Sequence, residues 1–472
     1  MSTDCTPRQL ELQGFGGRRL VGRFDGGQIS SDGGVVLLAA VERRRGLLAR
    51  FASCFEDFRD SSYVEHPKER LVAQRVLGVA LGYEDLVDHD ELRADPLLAA
   101  VLGSRDPEGR KRHQVRDRGH ALAGKSTLNR LEWGTLEAAP DDRYRRIAVV
   151  PDAVDDFFVD AFLDSFDSPP EEIVLDLDAT DDPLHGNQEG RFFHGYYGGY
   201  CYLPLYVFCG DHLLCARLRR SNIDASAGSV EELDRIVSRI RSAWPEVSIL
   251  VRADSGFARE ALMAWCEQND VDYVFGLARN SRLEEALEPA LEEAEELCAE
   301  SGEPERVYDE WMHSTLDSWS RKRRVIGKAE ITQYGPNPRF IVTSLAADRA
   351  DPATLYEQIY CARGEMENQI KEQQLCLFAD RTSARAMHVN QLRLWFSSVA
   401  YMLLAELRRL GLAGSEMARA RCDTIRLKLL KIGARVRISV RRVTVSLASS
   451  YPFQGIFWRA WAQLARAGPA LA

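Results

Sequence analysis

Asp178 and Asp254 each close an apolar, β-branched run, EIVLDLD and VSILVRAD, so each carboxylate emerges where a strand leaves its sheet. Glu367 falls later, in a segment with helical spacing. Treated as one helix from Pro352 to Gln374 at about 100° per residue, Leu355, Ile359, Ala362, Met366 and Ile370 form an apolar stripe. Tyr360, Arg363, Glu367, Lys371 and Gln374 then form a polar stripe roughly 100° round from it. A helix laid on the sheet by its apolar stripe aims the polar one across the strand ends. Three carboxylates converging there repel one another and take up protons unless cations neutralise them. Oxygen donors without Cys or His select hard ions such as Mg²⁺ or Mn²⁺. Two such ions about 3.5–4 Å apart activate the attacking oxygen and stabilise the leaving one in a phosphodiester displacement. The pattern predicts two divalent ions on Asp178, Asp254 and Glu367, with the basic residues of the stripe gripping neighbouring phosphates.

The elements that must hold these acids are legible as changes of period. Residues 1–165 read as mostly helical: SDGGVVLLAAVERRRGLLARF carries Ser31 and Asp32 as N-caps, and KSTLNRLEW opens another helix at Lys125. The aromatic helix DDFFVDAFLDSF ends near the Pro169-Pro170 break, a domain boundary. Over 166–280 the pattern turns to strands: EIVLDLDATD, then GGYCYLPLYVFCG and DHLLCARLRRS joined by a turn at Gly210-Asp211. The helix VEELDRIVSRIRSAW, the strand VSILVRADSGF, a helix from Ala258 and the strand VDYVFGLAR follow. That order predicts an α/β fold with a ribonuclease H-like mixed sheet flanked by helices. Residues 281–350 read as a β-rich insertion behind an acidic helix, 351–380 as the helix of the third acid, and 381–472 as a basic C-terminal region with a strand-like ARVRISVRRVTVSL.

Net charge is −10, but residues 381–472 hold 16 Lys and Arg against 3 Asp and Glu, a local +13 that leaves −23 on residues 1–380. Such segregation suits a chain that meets a polyanion through localised basic strips. The RKRR run Arg321–Arg324 beside Trp319 is one candidate strip, with Arg323 and Arg324 as phosphate contacts and Trp319 as core packing or a base-stacking ring. The ten cysteines lack any CxxC pair, against a zinc ribbon or a disulfide scaffold. The first residues lack a basic stretch leading into an apolar run, and no apolar stretch is long enough to span a bilayer, so a cytosolic protein is expected.

These segments together resemble the DDE insertion-sequence transposases, specifically the group numbered thirteen-eighty. The resemblance is carried by LDLDATDDPLHGNQEG at Leu175–Gly190, GYYGGYCYLPLYVF at Gly195–Phe208, VRADSGFAREAL at Val251–Leu262 and YCARGEMENQIKEQ at Tyr360–Gln373. DGGVVLL near Asp32, LGYEDLVDHDELRADP at Leu81–Pro96 and KSTLNRLE at Lys125–Glu132 add to it, so it covers nearly the whole chain. The related signature Tyr-x2-Arg-x3-Glu-x6-Lys maps onto Tyr360, Arg363 and Glu367. Its lysine position holds Gln374, a departure, and Lys371 one turn earlier is the candidate substitute. The resemblance implies metal-dependent cleavage and strand transfer at transposon ends, an N-terminal DNA-binding region and an insertion contacting the element end. Its partners would be double-stranded DNA, terminal repeats and target alike, with at least a homodimer during synapsis and no membrane. Asp176 competes with Asp178 as first acid, and the Asp-x-Thr step Asp178-Ala179-Thr180 favours the latter. Two other classes compete. DLDATD fits a haloacid-dehalogenase-like phosphatase with Asp176 as nucleophile, but the downstream GDxxxD acidic pair is missing. A non-catalytic, domesticated DNA-binding protein is the other.

Overall fold

The computed structural model describes residues 10–16, 18–137 and 144–466. The chain divides into two compact units. A sheet unit comprises residues 149–398, and a split unit is built from the described parts of 1–148 and 399–472.

In the sheet unit, β1 (Glu172–Ala179), β2 (Leu205–Cys209) and β3 (His212–Arg217) pair antiparallel in sequence order. The helix α1 (Ser229–Ala243) then returns the chain so that β4 (Ser248–Ala253) lies parallel to β1 on its other side. A second return through α2 (Glu260–Gln268) lays β5 (Asp272–Leu277) parallel to β4. After the acidic helix α3 (Ser281–Ser301) come β6 (Glu305–His313), β7 (Arg323–Thr332) and β8 (Arg339–Thr343). These three do not stand apart as a module: they extend the same sheet beyond β5, giving the order β3-β2-β1-β4-β5-β8-β7-β6. The result is a mixed sheet with helices on both faces.

Strand alternation assigns the faces. Ile173, Leu175 and Leu177 of β1, Ile249 and Val251 of β4, and Tyr273 and Phe275 of β5 share one core with α1, α2, α3 and the helix Pro151–Leu163. Leu250, Val274, Ile326 and Ile341 face the other way, against Leu355 and Tyr356. Asp176, Asp178 and Arg252 fall on that second face by the same alternation.

Some local expectations change. GGYCYLPLYVFCG is two strands rather than one: Gly199–Tyr202 belongs to a small three-stranded sheet, and the chain enters β2 only after Pro204, whose missing N–H cannot continue a ladder. ARVRISVRRVTVSL is a hairpin, Ala434–Ser439 with Arg442–Leu447. Ser31 and Asp32 do not cap the helix Val35–Arg45, whose N-cap is Gly34. Asp32 instead takes Lys431 at 2.7 Å and the Tyr83 hydroxyl at 2.7 Å. Gly33 and Gly34 donate backbone hydrogen bonds to Ile432 and Leu430, and a Cβ on Gly34 would overlap the Leu429 carbonyl oxygen. Ile29–Ser30 pairs with the strand Ala434–Ser439, so the two chain segments of the split unit share a sheet. None of the described cysteines forms a disulfide. Among the described residues no helix is long and apolar enough to cross a membrane.

Candidate active site

Asp176 and Asp178 lie on one face of β1, two residues apart, yet their surroundings differ. Across the parallel ladder Arg252 of β4 sits opposite Asp176 and grips both its oxygens at 2.7 Å. The same guanidinium donates to the Ile359 carbonyl at 2.6 Å, which ties the later helix to the sheet. With both oxygens engaged, Asp176 is unsuited to nucleophilic attack, so the phosphatase reading loses its central residue. Asp178, nearer the strand end, instead lines a cavity of about 510 Å³ together with Asp254 and Glu367. The arginine that separates the two aspartates was not recognised in the sequence, though it lies one residue from Ala253, inside a motif already singled out.

Asp254 follows directly on β4 and accepts a hydrogen bond from the Gly256 amide at 2.9 Å, a turn that fixes its carboxylate at the cavity wall. The third acid comes from a helix that is not uniform. After Pro352–Thr354 the chain makes a π turn over Leu355–Tyr360 and a 3₁₀ turn over Cys361–Arg363 before α4 (Gly364–Leu377) begins. Met366, Ile370 and Leu355 are buried as the apolar stripe requires, whereas Ile359 and Ala362 are only partly covered, because the wider and tighter turns break the 100° period. Tyr360 is carried over Gly276, where a Cβ would stand 2.6 Å from its hydroxyl. Only glycine lets the ring approach β5 beside Asp254.

Arg363 stands between two of the acids: one guanidinium nitrogen is 2.8 Å from Glu367 and another 3.7 Å from Asp178. That second nitrogen is buried without a hydrogen-bond partner among the described residues. Burial pushes the Asp178 carboxyl up to about 6; Arg363 pulls it back, and Asp254 and Glu367 push it up again. Burial works against the Arg363 charge, but Asp178, Tyr360, Glu367 and Asp254 together raise its pKa. Asp178 therefore senses the charge of both other acids across the cavity. Among the described residues no three Asp, Glu, His or Cys side chains close into a ready-made metal cage.

The expected nucleic-acid contacts sort into two groups. Lys371 is exposed and lines the cavity, as does Gln374, whose amide donates to the Asp182 carboxylate at 3.0 Å and the Asp181 carbonyl at 3.1 Å. Arg323 and Arg324 depart from the expectation, and Trp319 takes the core-packing alternative. Arg323 is buried and bonded to Glu260 and Glu267. Arg324 is paired with Glu310 and donates to the Leu345 and Ala350 carbonyls. Trp319 packs on the sheet core with Arg323 over its ring at 5.5 Å. Both guanidinium groups are engaged by carboxylates or carbonyls of the sheet unit, and the Trp319 ring is half-buried. Strand register also sets the run apart from the acids: Arg324 is opposite Thr343 and Thr343 opposite Val274, towards the end of β5 away from Gly276 and Asp254. Arg321 and Lys322 remain exposed.

Residues that the sequence reading passed over are His194, Tyr196 and Tyr197, which line the same cavity. Their signal was the aromatic density of RFFHGYYGGY, of which only the part from Gly195 onward was singled out, and only as part of the family resemblance. The split unit has a cavity of its own, about 470 Å³, lined by Arg59, Arg93, Arg112, Arg116 and Arg130, by Glu65, Asp90 and Asp117, and by the start of the helix Lys125–Glu132.

The chain belongs to the family described as transposase DDE domain group 1, whose model matches residues 12–469. It is therefore a member of a family of transposition enzymes that use divalent metal ions. No curated protein matches it. Among solved structures it is similar to the piggyBac transposase in a cryo-EM synaptic complex with hairpin DNA, at 12% identity and a TM-score of 0.40, covering 85% of this chain and 79% of that one.

Proposed function

We propose that this chain cuts the phosphodiester backbone at the ends of a mobile DNA element and joins those ends to target DNA, with Asp178, Asp254 and Glu367 as its catalytic acids. The observation that carries the reading is the cavity they share, in which the charge of each acid bears on Asp178. The donor set fits a hard divalent ion: carboxylate oxygens only, with one carboxyl pushed up by burial and by its neighbours. Two Mg²⁺ or Mn²⁺ ions bound there would activate the attacking oxygen and stabilise the leaving one. The chain's own residues do the rest. Arg363 offsets the charge of Asp178 and Glu367 so that the cavity assembles, and exposed Lys371 at the rim offers a cation to a phosphate beside the scissile one. The strand order 3-2-1-4-5 of β1–β5, with β1, β4 and β5 parallel, supports a ribonuclease H-like core. Joining two ends calls for at least a homodimer in synapsis.

DNA binding by the N-terminal region is part of the same proposal, with the arginine-lined cavity of the split unit as its phosphate contact. Each phosphate contact contributes about −0.9 to the slope of log affinity against log salt for duplex DNA. Replacing Arg116 and Arg130 by Ala should flatten that slope by about twice this amount. The deciding experiment is cleavage of labelled terminal-repeat duplex. Nicking is expected with Mg²⁺ or Mn²⁺ and little with Ca²⁺, whose looser coordination positions the attacking oxygen poorly. Mn²⁺ binding followed separately by electron paramagnetic resonance should weaken in Asp178→Asn and Asp254→Asn. Robust nicking in EDTA would overturn the proposal.

A further inference from the structure

The segment between β1 and β2 exposes aromatic rings that the chemistry above leaves without a task. Phe192, Phe193, Tyr196, Tyr197 and Tyr200 are all exposed in the hairpin of Phe192–His194 and Gly199–Tyr202, and Tyr196 at its tip retains 87% of its surface. Large apolar rings clustered on a surface mark a place where something docks. The hairpin is nevertheless firmly held. The Tyr197 hydroxyl donates to the Ala179 carbonyl at 3.3 Å, next to Asp178, and the Ser221 hydroxyl donates to the Phe192 carbonyl at 3.0 Å. Arg191 lies 4.0 Å over the Tyr200 ring and is itself anchored on Asn187 at 2.9 Å. Tyr196 meets Tyr197 edge-on at 5.0 Å, which leaves faces of the exposed ring open.

Position selects the occupant. His194, Tyr196 and Tyr197 border the cavity that Asp178, Asp254 and Glu367 line, and Lys371 lies on its opposite helix. A cavity of about 510 Å³ is of the size that houses one small ligand, which suits an unpaired nucleotide reaching the acids better than a base pair. A strand so drawn in needs cations for its phosphates and flat surfaces for bases that have lost their stacking partners. The hairpin supplies the flat surfaces, and Arg191 and Lys371 the cations.

We propose that the hairpin Phe192–Tyr202 is a stacking platform for an unpaired nucleobase beside the reacting phosphodiester, with Tyr196 as its principal ring. The inference rests on the DNA-cutting reading, but its test does not require cleavage. Affinity of the full chain in Ca²⁺ is measured by fluorescence anisotropy for a labelled twelve-nucleotide thymidine tract and for an abasic tract of equal length. Stacking is expected to make the thymidine tract bind about 5- to 100-fold more tightly. Tyr196→Ala should shrink that ratio several-fold and leave abasic binding unchanged, Tyr196→Phe should preserve it, and Phe193→Ala should reduce it in part. Equal affinity for the two tracts, full discrimination by Tyr196→Ala, or no binding of either tract would overturn the platform. Nicking of terminal-repeat duplex in Mg²⁺ is measured in parallel. Base discrimination without nicking would keep the platform and sink the cutting reading, and nicking without discrimination would do the reverse.

Discussion

The interior of the split unit and the cavity of the sheet unit handle buried charge in opposite ways. In the split unit acids and bases are matched in pairs: Arg75 meets Glu132 at 2.9 Å with both side chains buried, and Lys431 meets Asp32 at 2.7 Å. Its buried histidines are held neutral, His66 down to about 4 and His89 to about 3, chiefly by burial. At the cavity of the sheet unit three acids face one arginine, and the carboxyl of Asp178 stays raised. Pairing that closes locally serves stability, whereas an excess of one sign left in a concave site is the electrostatic mark of a site awaiting a ligand. The contrast separates scaffold from chemistry without reference to any relative.

It breaks most visibly at the acids. Asp178→Asn, Asp254→Asn and Glu367→Gln should each abolish terminal-repeat nicking, while Asp178→Asn should hold or raise the melting temperature, because it removes a carboxylate that burial disfavours. A lower melting temperature in Asp178→Asn would make that acid a structural one. The matching test in the split unit is Gly34→Ala, whose Cβ collides with the backbone at Leu429. It should cost about 3 kcal/mol, read by calorimetry as an earlier transition for that unit alone.

Next in size is the arginine run. Arg323→Ala leaves Glu260 and Glu267 without their buried partner and should cost about 3 kcal/mol in the sheet unit. The double change Arg321→Ala with Lys322→Ala should stay within about 0.5 kcal/mol. Equal effects in chemical denaturation would refute the division of this run into buried and exposed halves.

The smallest effect is a divergence with pH. His66 and His89 take up protons in the unfolded chain near 6.5 but in the folded one only near 4 and 3. Their contribution is full above 6.5 and is lost as pH falls, with the raised Glu42 and Asp95 pulling the other way. In the sheet unit burial raises Asp155 to about 6 and Asp182 to about 8, so each holds its proton in the folded state after the unfolded chain has released it above 3.8. Their contribution is full below 3.8 and is lost as pH rises. Between pH 7.5 and 5 the calorimetric transitions of the two units should therefore move in opposite directions, and parallel movement would show that other groups govern.

What the sequence made legible follows from the range of the interactions. Period-two runs ending in Asp178 and Asp254, and the helix around Met366 and Ile370, are local patterns, and those elements form close to where they were read. The Asp176–Arg252 pair spans 76 residues and was invisible, though it decides which aspartate faces the cavity. The π turn ending at Tyr360 and the carboxylate partners of Arg323 escaped for the same reason: charge and period reveal a residue's type, and only packing reveals its partner. RKRR looked like a cationic strip because four like charges in a row carry no sign of Glu260, Glu267 and Glu310 closing on three of them.

The pairing of Ile29–Ser30 with the strand Ala434–Ser439 also sets a timetable for synthesis. With roughly 400 residues between the partners and a ribosome adding about 5–20 residues per second, the first strand waits on the order of 20–80 s for its mate. The sheet unit lies wholly inside that interval and can mature first. A nascent chain halted before residue 434 would carry an unmated strand and two glycines with nothing to pack against, a natural target for chaperones and proteases. The molecule would thus complete its split unit only after the segment bearing all three acids has been made.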